Sequence, residues 1–221
     1  MTSGTNSDIR ALLDVVRAMA QEGLSYSKSE YDLARYEKLM EVARKEYSEI
    51  TGLSPEELKT TFLKEQGSIT PKVGVDTAVI SDKNEILVLK RSDNGLWGVP
   101  GGWSDVDEAP FETAIRETRE EARINVEPTG YIGIACKTPR TFQSWAPGWV
   151  SQVNICVAVK PVASDVKVTL SHEHTEYKWI SDTAQINNWN AAHKPLVERA
   201  LMAYREQTII PHIGNHRAGI V

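Results

Sequence analysis

The sequence predicts an α/β protein, an α/β/α sandwich built on a mixed β-sheet and preceded by a small helical region. Three features predict it. Up to about residue 66 the apolar residues recur at helical spacing. From Val73 onward they switch to the alternation of strands. Between two groups of strands lies one amphipathic helix that follows a glycine-rich turn.

The N-terminal helices come first. Residues 8–22 carry Ile9, Leu12, Leu13, Val16, Met19 and Ala20 at helical spacing, and Gly23 is expected to end that helix. A second helix is expected from Ser29 to about Thr51, with Asp32 three residues after Ser29 as in a capping box. A third starts at Ser54, with Pro55 at its first position and Glu57 three residues after the cap. Gly67 and Pro71 then break the pattern. The expected domains are therefore 1–66, helical; 67–208, the α/β domain; and 209–221, a tail with no clear period.

In the second domain, residues 75–80 and 85–91 read as strands joined by Ser81-Asp82-Lys83-Asn84, a hairpin signal. Asp93-Asn94-Gly95 is a further turn, and Pro100-Gly101-Gly102 interrupts the short apolar run 97–99. A helix is expected over 110–122. Strands follow at 130–136, 149–159 and 176–180, then a last helix at 191–207.

Composition narrows the function. The chain has 221 residues, 41% of them hydrophobic, and no apolar run approaches the ~20 residues of a membrane span. The first residues lack a basic segment followed by an apolar one, so a cytoplasmic protein is expected. The two cysteines, Cys136 and Cys156, lie in strand-like stretches without a CxxC neighbour and read as small core residues. The net charge of −5, without Lys/Arg clusters, argues against a duplex nucleic acid partner. It leaves room for a small nucleotide substrate.

The chemistry concentrates on the helix 110–122. At ~100° per residue, Phe111, Ala114, Ile115, Thr118 and Ala122 share one side. Glu117, Glu120 and Glu121 gather on the other. Like charges at these spacings repel by a few tenths of a kcal/mol per pair, and a bound cation reverses the sign. Oxygen-only ligands suit Mg²⁺ or Mn²⁺ and not zinc, and Mg²⁺ characteristically bridges to phosphates. Three glutamates by themselves are more simply a solvated face balanced by Arg116, Arg119 and Arg123. Their surroundings decide otherwise: Gly102, Glu108, Arg116, Glu117, Glu120 and Glu121 form G-x5-E-x7-R-E-x2-E-E.

That pattern is the signature of the Nudix hydrolases, which the chain closely resembles. Two positions depart from it. Thr118 stands where the family has an aliphatic residue, and Arg123 stands where it has a helix-ending glycine. The resemblance implies hydrolysis of a nucleoside diphosphate linked to another moiety, NDP–X. Glu117, Glu120 and Glu121 would be metal ligands, with the Gly101 carbonyl as another. Glu108 and Arg116 would form a structural ion pair. The general base would be a signature glutamate, such as Glu117 or Glu120, or one from a later loop, for which Glu176 is the candidate; Glu176 could instead be a ligand. His172 and His174 beside it read as surface residues of a polar loop.

A second resemblance lies in Ala20-Gln21-Glu22-Gly23-Leu24-Ser25-Tyr26, Tyr31-Asp32 and Arg35-Tyr36-Glu37. It continues through Thr70-Pro71-Lys72-Val73 and from Leu96-Trp97 through Pro100-Gly101-Gly102-Trp103. These are similar to Nudix enzymes with an N-terminal helical domain, a group that includes CDP-choline pyrophosphatases and enzymes acting on ADP-ribose. In that group the domain contributes to dimerisation and shapes the pocket, so a homodimer is implied. Tyr26, Tyr31 and Tyr36 are read as core packing. Trp103, Trp145 and Trp149 are equally candidates for stacking on a base or for packing in the core. Lys90 or Arg91 could meet a phosphate. The expected function is a Mg²⁺-dependent pyrophosphohydrolase that releases a nucleoside monophosphate and phospho-X. The alternatives are an RNA 5′-end pyrophosphohydrolase or a non-catalytic nucleotide-sensing module.

Overall fold

The computed structural model describes residues 3–63, 69–137 and 151–211. They fall into two compact units. Of the described residues, one unit comprises those up to Lys72 with Cys136, Lys137, Ser151 and Gln152, and the other comprises 73–135 with 153–211.

The first unit is helical: α1 (Ser3–Tyr26), α2 (Glu30–Thr51) and α3 (Pro55–Leu63). Its core is Leu13, Ala20, Met40, Tyr47, Leu58 and Phe62. Tyr47 meets Phe62 edge-on with centroids 5.6 Å apart, and the fully buried Arg17 lies 4.0 Å above the Phe62 ring. The Tyr47 hydroxyl donates to Asp14. Both capping signals act. Ser29 Oγ accepts the Asp32 N–H, and Ser54 and Glu57 cap each other's backbone N–H groups. Gly23 does not end α1, contrary to the sequence expectation. It sits inside the helix because a Cβ there would collide with the Tyr36 ring, so it serves a close approach of α1 and α2. Tyr26 and Tyr31 are exposed rather than packed.

The second unit is an α/β/α sandwich, as predicted. Its strands are β1 (Lys72–Val79), β2 (Ile86–Arg91), β3 (Trp97–Gly98), β4 (Gly101–Trp103), β5 (Val126–Lys137), β6 (Gln152–Pro161) and β7 (His174–Ile180). They form two sheets, β4-β1-β6-β5 and β3-β2-β7. The expected hairpin of β1 and β2 is therefore only a turn. The two strands meet at the Ile80–Ile86 bridge and then part, β1 to β4 and β6, β2 to β3 and β7. Alternation marks a strand but does not name its neighbour.

Two-sided burial explains the apolar runs. Ala78, Ile86, Val88, Cys156 and Ala158 face one side, where α5 (His193–Arg205) packs with Leu196, Val197, Ala200 and Leu201. Val75, Val79, Leu87, Leu89, Val157 and Val159 face the other, where α4 (Pro110–Ala122) brings Phe111, Ala114 and Ala122. Strands covered on both faces need no polar alternation. Phe111 also stacks on Tyr131 at 4.5 Å; removing such a ring typically costs about 3–5 kcal/mol. Cys156 is in the core as expected, whereas Cys136 is exposed. Ile209 packs on the core, and Ile210 pairs with Tyr131.

Candidate active site

The helix that carries the carboxylates is fixed at both ends. Pro110 starts α4, and Glu112 folds back to accept the Ala109 N–H at 2.7 Å. At the other end Arg123 takes the left-handed conformation that a glycine would adopt freely, φ 57° and ψ 33°. Two carbonyls of the last turn, which have no partner within the helix, find one in a later segment: Thr169 N–H donates to Ala122 and Ser171 N–H to Glu121, both at 2.9 Å. Thr118, fully buried on the inner face of α4, keeps its methyl in the core and leaves its hydroxyl without a hydrogen bond.

Arg116 organises the outer face. Its Nε and Nη2 donate to the two oxygens of Glu108 at 2.8 and 2.9 Å, and Nη2 also donates to the Trp103 carbonyl at 2.9 Å. Glu108 further accepts the Asp105 N–H and the Thr113 hydroxyl. The Arg116 bond, above all, holds the Glu108 carboxyl down to about 2. The loop before α4 is thereby bound to the helix. From Nη1, Arg116 donates to Glu117 at 2.8 Å and to Glu120 at 3.4 Å.

Glu117 lies against Gly102 so closely that any Cβ there would collide with its carboxylate. Glu121 is 7% exposed. It accepts the Gly101 N–H, yet its Oε2 has no hydrogen-bond partner. Burial first, then the neighbouring charges of Glu117 and Glu173, push its carboxyl up to about 8. Burial also raises Glu117, against the pull of Arg116. Glu120 is the exposed member of the three.

Among the described residues, no three His, Cys, Asp or Glu side chains stand close enough together to hold an ion as they lie. Two of the glutamates turn to Arg116 instead. The donor set nevertheless fits a hard divalent cation. It offers only oxygens, and a buried carboxylate oxygen without a proton donor is a position that a positive charge stabilises.

The remaining predicted residues are spread more widely. Glu176 lies on β7 opposite Lys90, half exposed, and accepts its Nζ at 2.6 Å. Arg91 holds Asp93 through two bonds at 2.9 and 2.8 Å, with Glu173 and Glu121 near enough to bias its charge. Trp103 is 45% exposed on β4. Trp145 and Trp149 lie outside the described residues. His174 is buried and not on the surface as expected; its Nε2 stands 4.0 Å from Glu121 Oε2. The burial of His174 and the approach of Glu173 and His193 to this region are not visible in the sequence. Nothing local in their spacing marks them, because each reaches the helix or the glycine turn only through the fold.

Residues 70–200, more than half of the chain, match the model of the NUDIX domain. The chain belongs to the Nudix family. Enzymes of this family generally use divalent metals. Residues 7–62 match a second model, the UDP-X-like, N-terminal oligomerisation domain. A Bacillus subtilis protein named "Putative ADP-ribose pyrophosphatase YjhB" is 33% identical over 119 residues, covering 54% of this chain and 57% of its own. This Nudix chain thus spans little more than half the length of that relative. A Sus scrofa bis(5′-nucleosyl)-tetraphosphatase is 33% identical over 122 residues, 51% of this chain and 70% of its own. The crystal structure of a UDP-X diphosphatase superposes with a TM-score of 0.54 over 93% of this chain and 98% of its own, at 19% identity, which speaks for a shared fold. Among the described residues no helix is long and apolar enough to cross a membrane.

Proposed function

We propose that this Nudix hydrolase is a Mg²⁺-dependent pyrophosphohydrolase of nucleoside diphosphates linked to a second moiety, releasing a nucleoside monophosphate and phospho-X. The observation that carries this reading is Glu121: a buried carboxylate with an oxygen lacking a partner, beside a second crowded carboxylate, Glu117. Glu117, Glu120, Glu121 and the Gly101 carbonyl would hold the cation. A Mg²⁺ ion held by them would supply Lewis-acid chemistry, polarising phosphoryl oxygens and lowering the pKa of an attacking water.

The chain's own residues supply the rest. Arg116 keeps its bonds to Glu108 and to the Trp103 carbonyl whichever way Glu117 and Glu120 turn, so the loop stays in register while the carboxylates engage a ligand. The proton of the water goes to a carboxylate open to solvent, Glu120 on the helix or Glu173 on the loop. Glu173 is favoured over Glu176 for the later-loop role, because its charge reaches Glu121 while Glu176 is held by Lys90. Arg91, whose charge is felt by Glu173, would meet a phosphate once it leaves Asp93, and the exposed Trp103 ring would stack on a base.

ADP-ribose, UDP-linked sugars and CDP-choline are the first substrates to try, on the strength of the relatives and of the N-terminal resemblance. The test is turnover with and without Mg²⁺ across these compounds, with products identified. Formation of a nucleoside monophosphate and phospho-X in equal amounts supports the reading. Release of inorganic phosphate alone, or no turnover with any of them, removes it.

A further inference from the structure

The glycine turn beside α4 is held from its far side by one residue of the last helix. His193 is the first residue of α5, and its side chain is 14% exposed. Its Nδ1 accepts the Val99 N–H at 3.0 Å. An imidazole nitrogen that accepts carries no proton, so the hydrogen of the neutral ring sits on Nε2. Nε2 faces Asp76 Oδ1 at 3.6 Å. Asp76 is 4% exposed on β1, directly opposite Gly101 in the β1–β4 register. Room for the ring comes from Gly98, where any Cβ would collide with the imidazole.

The segment leading into α5 grips the same strand. The Trp97 N–H donates to the Asn188 carbonyl at 3.0 Å, and the Trp97 carbonyl accepts the Asn190 N–H at 2.9 Å. The Asn190 carbonyl in turn accepts the His193 N–H at 2.9 Å. Residue 100 is a proline, with a fixed φ and no N–H, and its carbonyl accepts the Thr77 N–H at 2.8 Å. The backbone from Trp97 to Gly101 is therefore pinned at successive residues, and Val99 depends on a side chain for its bond.

We propose that His193 is a positioning residue for the reaction: by accepting the Val99 N–H and bracing Asp76, it fixes Gly101, which binds Glu121 through its N–H and offers its carbonyl to the cation. The role rests on the proposed function for its catalytic consequence. The geometric part stands on the Val99 hydrogen bond and on the 3.6 Å approach of Nε2 to Asp76.

Five variants test it: H193N, H193Q, H193A, G98A and the double variant H193A/G98A. Asparagine places an oxygen near the Nδ1 position and keeps the acceptor for Val99. Glutamine reaches toward Asp76 but leaves Val99 without its acceptor. The readouts are kcat and KM taken separately, Mn²⁺ affinity from the spectrum of the free ion, and hydrogen exchange at the Val99 and Gly101 amides. Loss of an outer partner of a metal site typically costs about 10–100-fold. H193A and H193Q are expected to lose about that much in kcat and Mn²⁺ affinity with KM little changed, and H193N to regain most of it. G98A should be as damaging as H193A, yet add almost nothing in the H193A background, where the ring is gone. Exchange at Val99 and Gly101 should quicken in H193A and G98A but not in H193N.

Wild-type kcat and Mn²⁺ affinity in H193A would overturn the proposal. So would equal recovery by glutamine and asparagine, which would mean that the ring merely fills space. If the wild-type protein turned over no nucleoside diphosphate, the functional reading would fall by itself. Amide exchange would then decide the positioning: unchanged exchange in H193A overturns it and faster exchange supports it.

Discussion

Arg116 and Glu108 face each other through two parallel hydrogen bonds, Nε to Oε1 at 2.8 Å and Nη2 to Oε2 at 2.9 Å. The pair is partly shielded, with side chains 26% and 15% exposed. Its pH signature follows from the direction of the shift. The folded Glu108 carboxyl, at about 2, lies below its unfolded value. The stabilisation is complete above about pH 4.5 and drains away as pH falls toward 2. Urea titrations at a series of pH values should show this loss, and E108Q should lack it. At pH 7, E108Q is expected to be less stable by about 1–3 kcal/mol, since it leaves a guanidinium without its fork. R116K keeps the charge but not the fork and should fare little better.

Glu121 has the opposite sign. Its folded carboxyl, at about 8, lies above the unfolded one, so the folded state holds a proton that the unfolded state has already released. In chelator, thermal stability should fall as pH rises from about 5 to 8, and E121Q should flatten that slope. Added Mg²⁺ should reverse the fall in the wild-type protein but not in E121Q. A melting temperature that ignored both pH and Mg²⁺ would contradict the cation reading.

Gly102→Ala is a test of the carboxylate's seat. The backbone there needs no glycine for its dihedral angles, so the added methyl acts by displacing Glu117. Activity should drop by at least tenfold, as for other supports of a metal site, while circular dichroism stays unchanged. Full activity in that variant would show that Glu117 need not lie where it does.

The two departures from the family pattern predict gains. Arg123→Gly relieves a left-handed arginine, and Thr118→Val removes a buried hydroxyl that has no hydrogen bond. Each should stabilise the fold by about 0.5–1 kcal/mol in denaturant titrations. Neither touches a carboxylate, so turnover should be preserved.

The N-terminal helices present Leu12, Val15 and Met19 to solvent, 60%, 55% and 63% exposed and aligned along α1. A homodimer would cover them. Light scattering should give twice the chain mass, and L12E with M19E should give the monomer. A monomeric wild-type protein would defeat the expectation.

Much of this was legible in the chain because it is local. Pro110, the two faces of residues 110–122 and the glycine turn fix the helix and its carboxylates within one stretch. What escaped was long-range. The parting of β1 from β2 depends on which strands compete for their edges. Glu176 pairs with Lys90 across the sheet, and the turn of residues 171–174 brings the charge of Glu173 near Glu121, contacts that no local spacing shows. His193 and Asp76 meet from opposite ends of the second unit, and no sequence window contains both. The αL arginine shows the reverse case: the departure was visible, and only the structure reveals that the helix end absorbs it.

β5 is the outermost strand of its sheet, and Ile210 exchanges two backbone hydrogen bonds with Tyr131 on it, at 2.7 and 2.9 Å. Gly130 makes this possible, because any side chain there would strike the Ile210 carbonyl. A bare outer strand is an invitation to templated polymerisation. The few residues after the last helix thus cover that edge at Tyr131, and a version cut short at Arg205 should expose it and aggregate faster in light scattering than the full chain.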